Sequence, residues 1–458
     1  MSPKRYVRFI LPALILANAV IKLLWLGRNE LAHDEPFTVY WSQRSLADLW
    51  AMLRTENNPP LYFLLIKVWS MVVPFDPAWL RVPSAVFSTL AVWPLYVLAH
   101  RLAGVRVALV AALLFTLNNY HYGFAHEVRG YSLFTLLATT GMWLLWRAKD
   151  KTNNGLRAML GLSALNTLMI YTHFFGWLAI GVQALCVLAL PELRHLRRNF
   201  LLGVGITLLW FSPYLIIFIQ RLGTSVAQGT WLEAPVPEEL YNMIWRWSNA
   251  PVLAVLFLTV ILGGLLRSRV REAGIRLALV WTFIPLFGMY LASYAAPMFL
   301  DRYLVYAAPG FALLVALSMD ALRIPTHSIT GIMVLAVAGM AFTFTPGAKS
   351  VREPSGVVST VDQWCAEDCS VEVVPAWYWL NYLAAEDLDQ LKDDHRDLLL
   401  SGVFVPDQEM VDVVGPTVLV DASGDRSCRS IIEALRSAYP GVDSVEADHR
   451  VWVYRFRR

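Results

Sequence analysis

The sequence predicts an all-α polytopic membrane protein that carries a small α+β soluble domain at its C-terminal end. Of the 458 residues, 57% are hydrophobic and only 16% are charged, whereas an average soluble domain has about 25% charged residues. Segments of about 20 apolar residues, which is the length that crosses a bilayer as a helix, recur through residues 1–345. Shorter patterns that are typical of strands and amphipathic helices follow in residues 346–458.

This composition excludes several classes of protein. A soluble multidomain enzyme could not hide so much apolar surface from water. Disorder requires low hydrophobicity, and the 4 cysteines are too few for a disulfide scaffold. The 38 basic and 35 acidic residues leave a net charge of +3, which is too small to indicate nucleic-acid binding.

Eleven apolar segments are predicted to span the membrane. Gly and Pro are tolerated inside them because neighbouring helices can satisfy the freed backbone groups. An odd number of spans places the two ends of the chain on opposite sides of the membrane. The segments are Val7–Leu26, Trp79–Ala99, Val107–Tyr122, Gly130–Trp146, Leu156–Phe174, Phe175–Leu190, Phe200–Ile219, Pro251–Leu266, Leu277–Tyr294, Tyr303–Leu322 and Thr326–Thr345.

A twelfth apolar stretch, Pro59–Val73, decides the orientation of the chain. It is short, opens with two prolines and contains Lys67. If it does not cross the membrane, every basic cluster of residues 1–345 falls on one side. If it does cross, the N-terminal cluster lies on the opposite side of the membrane from all the others. Because Lys and Arg are enriched on the cytoplasmic side, we predict an amphipathic interfacial helix here. The N-terminus is then cytoplasmic, and residues 346–458 lie outside.

The predicted C-terminal domain, residues 346–458, differs from residues 1–345 in charge and pattern. It contains 20 acidic and 11 basic residues. Strands are predicted at Val371–Val374, Thr417–Val420 and Val451–Phe456, and helices at Trp377–Leu391 and Arg429–Ala438.

Three of the cysteines fall in this external domain, whereas Cys186 lies in a span. An oxidising compartment permits one disulfide among Cys365, Cys369 and Cys428. Pairing Cys428 with either of the other two would close a long loop.

Under this orientation, polar clusters lie at the outer ends of the spans, in residues 31–40, 57–62, 120–131, 171–176 and 299–303. Singly, they have ordinary explanations, since Asp34 before a Pro-containing helix start is a normal helix cap and Glu127 with Arg129 could be a surface ion pair. Arg302 at membrane depth is costly and needs a partner. Together, the clusters predict one outer-face cavity where a carboxylate acts as a base and guanidinium groups neutralise a phosphate ester.

These motifs resemble the GT-C superfamily of glycosyltransferases that use polyprenyl-phosphate-linked sugars. The resemblance is to the bacterial members grouped with protein O-mannosyltransferases and lipid A aminoarabinose transferases. It covers residues 1 to about 322 and excludes the C-terminal domain. It is carried by the order and spacing of HDEPF at 33–37, NPPLY at 58–62, EVRGY at 127–131, YTHFFG at 171–176 and DRY at 301–303, ahead of Pro309-Gly310.

The resemblance implies that Asp34 is the catalytic base and that Arg302, with Arg129, binds the donor phosphate. It also implies a long first external loop with juxtamembrane helices. Relatives often have His or a basic residue where this chain has Asn58, so phosphate binding is assigned to Arg302 instead. Some relatives bind a divalent metal and others need none, which leaves the metal question open. The residues expected to position donor or acceptor are His33, Glu35, Asn58, Tyr62, Glu127, Tyr131 and His173.

The predicted function is transfer of a sugar, with inversion, from a polyprenyl-phosphate donor to an acceptor hydroxyl on a lipid, glycan or protein. The reaction is placed at the outer face of the bacterial cytoplasmic membrane. Membrane lipids are expected as further partners, and nucleic acid is not. A transporter or lipid flippase is the alternative, although such proteins bind their cargo near the midplane and often have paired halves. A scaffold that displays the acidic outer domain is a third interpretation.

Overall fold

The computed structural model describes residues 3–150, 155–228, 232–267, 272–322, 324–365, 371–401, 418–424 and 441–457. Within these residues the chain forms 19 α-helices, four short 3-10 helices and one four-stranded sheet. The predicted fold class, a mostly helical protein with a small C-terminal α+β region, is confirmed.

The chain divides into two compact units. The first unit comprises Met1–Leu24, Trp50–Tyr62 and Arg81–Pro346, and the second comprises Trp25–Leu49, Phe63–Leu80 and Gly347–Arg458. The division into domains 1–345 and 346–458 stays a prediction, and the compact units differ from it in one respect. Most of the predicted first external loop belongs to the second unit, in which α2 packs against the C-terminal segment.

Sixteen α-helices precede residue 346 in the described part of the chain. Two 3-10 helices, Pro191–Leu196 and Asp301–Ala307, accompany them. The α-helices are α1 (Pro3–Leu23), α2 (Glu35–Gln43), α3 (Leu46–Leu53), α4 (Pro60–Ser70), α5 (Pro77–Leu90), α6 (Val92–Thr116), α7 (Asn119–Ala125), α8 (Tyr131–Ala148), α9 (Gly155–Thr172), α10 (Gly176–Ala189), α11 (Arg197–Gln228), α12 (Glu238–Ser248), α13 (Pro251–Arg267), α14 (Ala273–Ala292), α15 (Ala308–Asp320) and α16 (Thr326–Thr343).

Each of the eleven predicted apolar segments coincides with one or more of these helices. Helix α6 is interrupted at Ala103 and Gly104, where Gly104 has a φ of +85°, and this break lies where the sequence predicts a loop between two spans. By length and composition, five helical stretches in the described residues can cross a membrane, and a sixth if the bent pair α12 and α13 is one span. The number eleven therefore stays a prediction. Helix α4, at 11 residues, is too short to cross.

Helix α15 forms the centre of the first unit. Twelve of its 13 residues are buried, and it packs against α6, α13 and α14. Small residues permit the close approach of these helices. A Cβ at Gly264 of α13 would lie 2.7 Å from the carbonyl oxygen of Ser318, and a Cβ at Gly310 would lie 2.9 Å from Cγ of Trp281.

The C-terminal part of the second unit contains a mixed sheet covered by helices. Strand β1 (Val371–Val374) pairs in parallel with β2 (Val418–Asp421), and β4 (Val451–Arg457) pairs antiparallel with both β2 and β3 (Gly441–Asp448). The order is β1-β2-β4-β3. The apolar core lies between this sheet and α17 (Ser355–Trp364). Two further α-helices are α18 (Trp379–Glu386) and α19 (Arg396–Ser401), with 3-10 helices at Ala376–Tyr378 and Leu388–Lys392.

The three predicted strands are present as β1, β2 and β4, with bounds within one residue. The sequence did not predict β3, because its polar residues carry no strand-like apolar run. The single helix predicted at Trp377–Leu391 forms as three short helices instead, because the chain leaves the helical conformation at Asp387. The predicted helix Arg429–Ala438 lies outside the described residues.

Two of the four cysteines lie in the described residues. Cys186 is buried in α10 and free, and Cys365, directly after α17, is disulfide-bonded. Cys369 and Cys428 lie outside the described residues.

Candidate active site

Asp34, the predicted base, lies immediately before α2 in the second unit. Its backbone carbonyl accepts hydrogen bonds from the backbone N–H and the hydroxyl of Thr38, each at 3.1 Å. Its carboxylate makes no capping hydrogen bond to the first turn of α2. The side chain therefore does not have the ordinary helix-cap role that the sequence also allowed. The residue is half-buried.

The two neighbours of Asp34 differ in their environment. Glu35 is 6% exposed, and its carboxylate accepts a hydrogen bond from the backbone N–H of Ala32 at 3.3 Å. His33 is exposed and has a φ of +60°, a conformation that residues with a Cβ rarely adopt. Its carbonyl accepts a hydrogen bond from Asn381 at 3.1 Å, and its ring Nδ1 contacts the guanidinium of Arg352.

In the first unit, Asn58 and Arg129 form a polar contact between distant parts of the sequence. Nη2 of Arg129 donates to Oδ1 of Asn58 at 3.1 Å. Arg129 is only 8% exposed, and its guanidinium lies 5.9 Å from the ring centroid of Tyr131. Asn58, which departs from the residue expected in relatives, is thus a partner of one predicted phosphate-binding arginine.

Tyr62 reaches the same segment through a serine. Its hydroxyl lies 2.6 Å from Oγ of Ser84, and Oγ of Ser84 donates to the carbonyl of Arg129 at 3.2 Å. Both side chains are buried. A Cβ at Gly130 would lie 3.2 Å from Cγ2 of Thr172 and 3.5 Å from Cβ of Tyr62, so a glycine at this position allows the close packing around Arg129.

The chain turns tightly before Arg129. The backbone carbonyl of Glu127, a half-buried residue, accepts a hydrogen bond from the backbone N–H of Arg129 at 2.8 Å. Glu127 thus contacts Arg129 through its backbone.

His173 lies in the turn between α9 and α10 among aromatic rings. It is 8% exposed and stacks on Phe134 with 5.1 Å between ring centroids. It also contacts Tyr131 at 5.8 Å and Tyr303 at 5.4 Å. Its Nδ1 accepts a hydrogen bond from the backbone N–H of Phe175. The aromatic contacts place His173 between the Arg129 segment and the segment that carries Arg302.

Arg302 belongs to the 3-10 helix Asp301–Ala307, which Asp301 anchors. Oδ1 of Asp301 accepts from the backbone N–H of Arg302 at 2.7 Å, and Oδ2 pairs with Nε of Arg246 at 3.1 Å. The carbonyl of Asp301 accepts from the hydroxyl of Tyr120 at 2.5 Å. Arg246 was not predicted as a site residue, because nothing local links α12 to a residue 55 positions later.

Lys22 is a buried charged residue that was not predicted as part of the site. Lys22, within a predicted span, is fully buried, and its Nζ donates to Oγ of Ser88 at 2.6 Å. That Oγ lies 2.8 Å from Nε2 of His121, whose ring stacks on Phe115. A lysine inside an apolar segment is rare and is a functional candidate by default, so the signal was present in the sequence.

The loop between α7 and α8 carries a histidine in an electropositive environment. Burial, together with the charges of Arg81 and Lys22, lowers the pKa of His126 from its ordinary 6.5 to about 4. Among the residues that the structure describes, no group of three or more His, Cys, Asp or Glu side chains could hold a metal ion.

The structure therefore brings one predicted group together within each unit. Asn58, Tyr62, Arg129, Tyr131 and His173 are linked by hydrogen bonds and ring contacts in the first unit. His33, Asp34 and Glu35 lie at the start of α2 in the second. Their catalytic and binding roles stay predictions.

Comparisons with known proteins agree with this fold. The family model described as dolichyl-phosphate-mannose-protein mannosyltransferase matches residues 57–217. No curated protein matches the chain by sequence.

Among solved structures, ArnT from Cupriavidus metallidurans is similar over nearly the whole chain. At 13% identity, 99% of this chain and 98% of ArnT are covered, with a TM-score of 0.66 for the apo state and 0.65 for the state bound to undecaprenyl phosphate. The archaeal oligosaccharyltransferase AglB from Archaeoglobus fulgidus, in complex with an inhibitory peptide and a dolichol-phosphate, is 10% identical (91% and 70% covered, TM-score 0.54). The arabinofuranosyltransferase AftD from Mycobacteria is 14% identical (97% and 40% covered, TM-score 0.55). The resemblance to the GT-C superfamily is thereby confirmed at the level of the fold.

Proposed function

Because the chain has the GT-C glycosyltransferase fold and is a multi-pass membrane protein like ArnT, we propose that it is an integral membrane glycosyltransferase. It moves a sugar from a polyprenyl-phosphate-linked donor to an acceptor hydroxyl at the outer face of the bacterial cytoplasmic membrane. The observation that supports this most directly is the similarity over 99% of the chain to ArnT bound to undecaprenyl phosphate. The N-terminus is cytoplasmic and the C-terminal domain periplasmic in this proposal.

Asp34 acts as the general base. Its carboxylate removes the proton of the acceptor hydroxyl, whose oxygen attacks the anomeric carbon in line. The new glycosidic bond forms as the bond between the sugar and the phosphate oxygen breaks, so that configuration inverts and polyprenyl phosphate leaves. The half-buried Asp34 is more accessible to an acceptor hydroxyl than Glu35, which is only 6% exposed.

Arg302 and Arg129 bind the donor phosphate. A guanidinium group presents five N–H donors in a planar fork that matches phosphate oxygens. One N–H of Arg129 donates a hydrogen bond to Asn58. Charge-assisted hydrogen bonds of this kind stabilise the negative charge that develops on the leaving phosphate. His33, Glu35, Asn58, Tyr62, Glu127, Tyr131 and His173 position the donor or the acceptor.

Radiolabelled sugar transfer from polyprenyl-phosphate donors into a membrane fraction tests the activity. A transporter or flippase would move the lipid without forming a glycosidic bond. General base catalysis is worth about 10²–10⁴-fold in rate, so Asp34→Asn should lower transfer by that factor without lowering the melting temperature. Asp76→Asn is the matched control, since Asp76 is an exposed carboxylate of the same unit. Wild-type transfer by Asp34→Asn would exclude Asp34 as the base.

Donor binding is measured separately by thermal stabilisation of the detergent-solubilised protein with polyprenyl phosphate. Arg302→Ala should lose the stabilisation. Arg221→Ala, which removes an equal charge from an exposed side chain bonded to Asn57, should keep it. Equal stabilisation of wild type and Arg302→Ala would remove Arg302 from the phosphate site.

A further inference from the structure

The C-terminal segment holds the loop that precedes Asp34, and we propose that Asn381 and Arg352 are positioning residues for the catalytic base. They act through His33, the residue directly before Asp34. This inference rests on the proposed function, because it takes Asp34 as the base. It assigns the C-terminal domain a part in the reaction itself, whereas the family resemblance stops before that domain.

The conformation of His33 is the first observation. Its φ of +60° lies in the left-handed region, which is unfavourable for a residue with a Cβ. Such a conformation persists only where the surroundings determine it, and it is frequent at functional sites. Since His33 directly precedes Asp34, its backbone conformation sets the direction in which the chain enters α2 and hence where the Asp34 carboxylate points.

Two side chains from the C-terminal segment contact this residue. Nδ2 of Asn381, on α18, donates to the carbonyl oxygen of His33 at 3.1 Å. Asn381 is 1% exposed, so the donor side chain is largely shielded from water, although His33 itself is exposed. On the other side, Arg352 contacts Nδ1 of the His33 ring. The backbone and the ring of His33 are therefore both held.

The two residues before Leu31 are held in the same way. Oδ1 of Asn29 accepts from the backbone N–H of Ser350 at 3.0 Å. The carboxylate of Glu30 accepts from the backbone N–H of Ser355 at 2.9 Å and from its hydroxyl at 2.5 Å. These bonds tie the loop to the start of α17, so that residues 29–33 are attached to the C-terminal segment at three separate points.

Helix α2 itself continues this attachment beyond Asp34. It packs against α18 and against the 3-10 helix Leu388–Lys392. The hydroxyl of Tyr40 accepts from the backbone N–H of His395 at 3.1 Å, and Arg44 donates to the carbonyl of Leu391 at 3.0 Å. Asp34 thus lies between two segments that the C-terminal domain holds on either side. This arrangement fits a domain that sets the geometry of the base.

Asn381→Leu removes the donor and keeps the number and branching of the side-chain heavy atoms. The full-length variant should show kcat for sugar transfer reduced at least tenfold, with KM for the polyprenyl-phosphate donor and the melting temperature close to wild type. Gln390→Leu is the matched control, because Gln390 donates to Glu386 in the same segment and not to the loop. A kcat within twofold of wild type in Asn381→Leu would overturn the proposal.

A double-variant cycle tests whether the effect passes through His33. Glycine adopts a positive φ without strain, so the loss of kcat caused by Asn381→Leu should shrink to less than threefold in the His33→Gly background. Equal losses in both backgrounds would overturn the route through His33. A purely structural role of Asn381 would instead lower the melting temperature in both backgrounds.

A readout that needs no activity separates this proposal from the proposed function. Deuterium uptake at the backbone amides of residues 28–35 should rise at least fivefold in Asn381→Leu and in Arg352→Gln, and stay unchanged in Gln390→Leu. Unchanged deuterium uptake in both variants would refute the positioning role of Asn381 and Arg352, even if the protein transfers sugar. Faster uptake in a protein without transferase activity would refute only the proposed function.

Discussion

Replacing Asn58 with leucine tests how far donor binding depends on the orientation of one guanidinium group. Asn58 is half-buried, and its Oδ1 accepts a hydrogen bond from Nη2 of Arg129 at 3.1 Å. Leucine has the same number and branching of side-chain heavy atoms but no acceptor, so the change removes the hydrogen bond and no heavy atom. Arg129, 8% exposed, then has one poorly solvated N–H without this partner.

The expected loss follows from the strength of that bond. A hydrogen bond to a charged group contributes about 1.5–3 kcal/mol, and the lower end applies because Asn58 is only half-buried. A loss of about 1.4 kcal/mol corresponds to a factor of about ten in rate. We therefore expect kcat/KM for the polyprenyl-phosphate donor to fall about tenfold, mainly through KM for the donor.

The neighbouring asparagine provides the control. Oδ1 of Asn57 accepts a hydrogen bond from Nε of Arg221 at 3.2 Å, but this pair is exposed to solvent. A surface substitution usually changes stability by less than about 0.5 kcal/mol, so Asn57→Leu should transfer sugar within twofold of wild type. Sugar transfer and thermal unfolding are measured for both variants. Near-wild-type kcat/KM in Asn58→Leu, or equal losses in both variants, would show that donor binding does not depend on the hydrogen bond between Arg129 and Asn58.

Three further predictions concern packing, pH and the anchor of Arg302. Gly264→Ala should lower the free energy of unfolding by about 1–3 kcal/mol, because its Cβ would meet backbone atoms of α15. Gly263→Ala is the control, since its Cβ would meet only the flexible end of a leucine side chain. Equal melting temperatures of the two variants would contradict this prediction. Burial lowers the pKa of His126 to about 4, so its contribution to stability is complete above pH 6.5 and is lost as the pH falls toward 4. Melting curves should therefore depend less on pH in His126→Gln, and identical slopes would count against it. Arg246→Met and Asp301→Asn break the 3.1 Å ion pair and should each reduce sugar transfer about threefold to tenfold; the double variant should be no worse than the worse single one, and additive losses would show that the two act independently.

Much of the fold was predictable because it depends on local properties of the chain. Apolar runs of bilayer length identified the helices of the first unit, and short apolar runs of strand length identified β1, β2 and β4. The polar strand β3 was missed because it is defined by its pairing with β4, and pairing is not visible in its own residues. The predicted first external loop was grouped with the membrane body, although most of its residues belong to one compact unit with the C-terminal segment.

The candidate site was predictable as a set of positions and not as a set of contacts. Motif order singled out Asn58 and Arg129, but their hydrogen bond joins residues 71 positions apart. Arg246, which pairs with Asp301, gave no signal because an arginine on an amphipathic helix is ordinary. Lys22 did give a signal in the sequence, because it is a charged residue inside an apolar run.

By itself, the sequence determined the fold class, the helical segments and the polar clusters between them, because hydrophobicity and charge are properties of each segment alone. Three features are visible only in the folded chain: the Asp34 carboxylate does not cap its helix, Asn58 is a partner of Arg129, and Asn381 bonds to the carbonyl of His33. The physical reason is that each of these depends on which distant side chains packing brings within about 3 Å, the range of a hydrogen bond. A protein of this composition must form apolar helices in a membrane, but many arrangements of its few polar groups satisfy that requirement equally well.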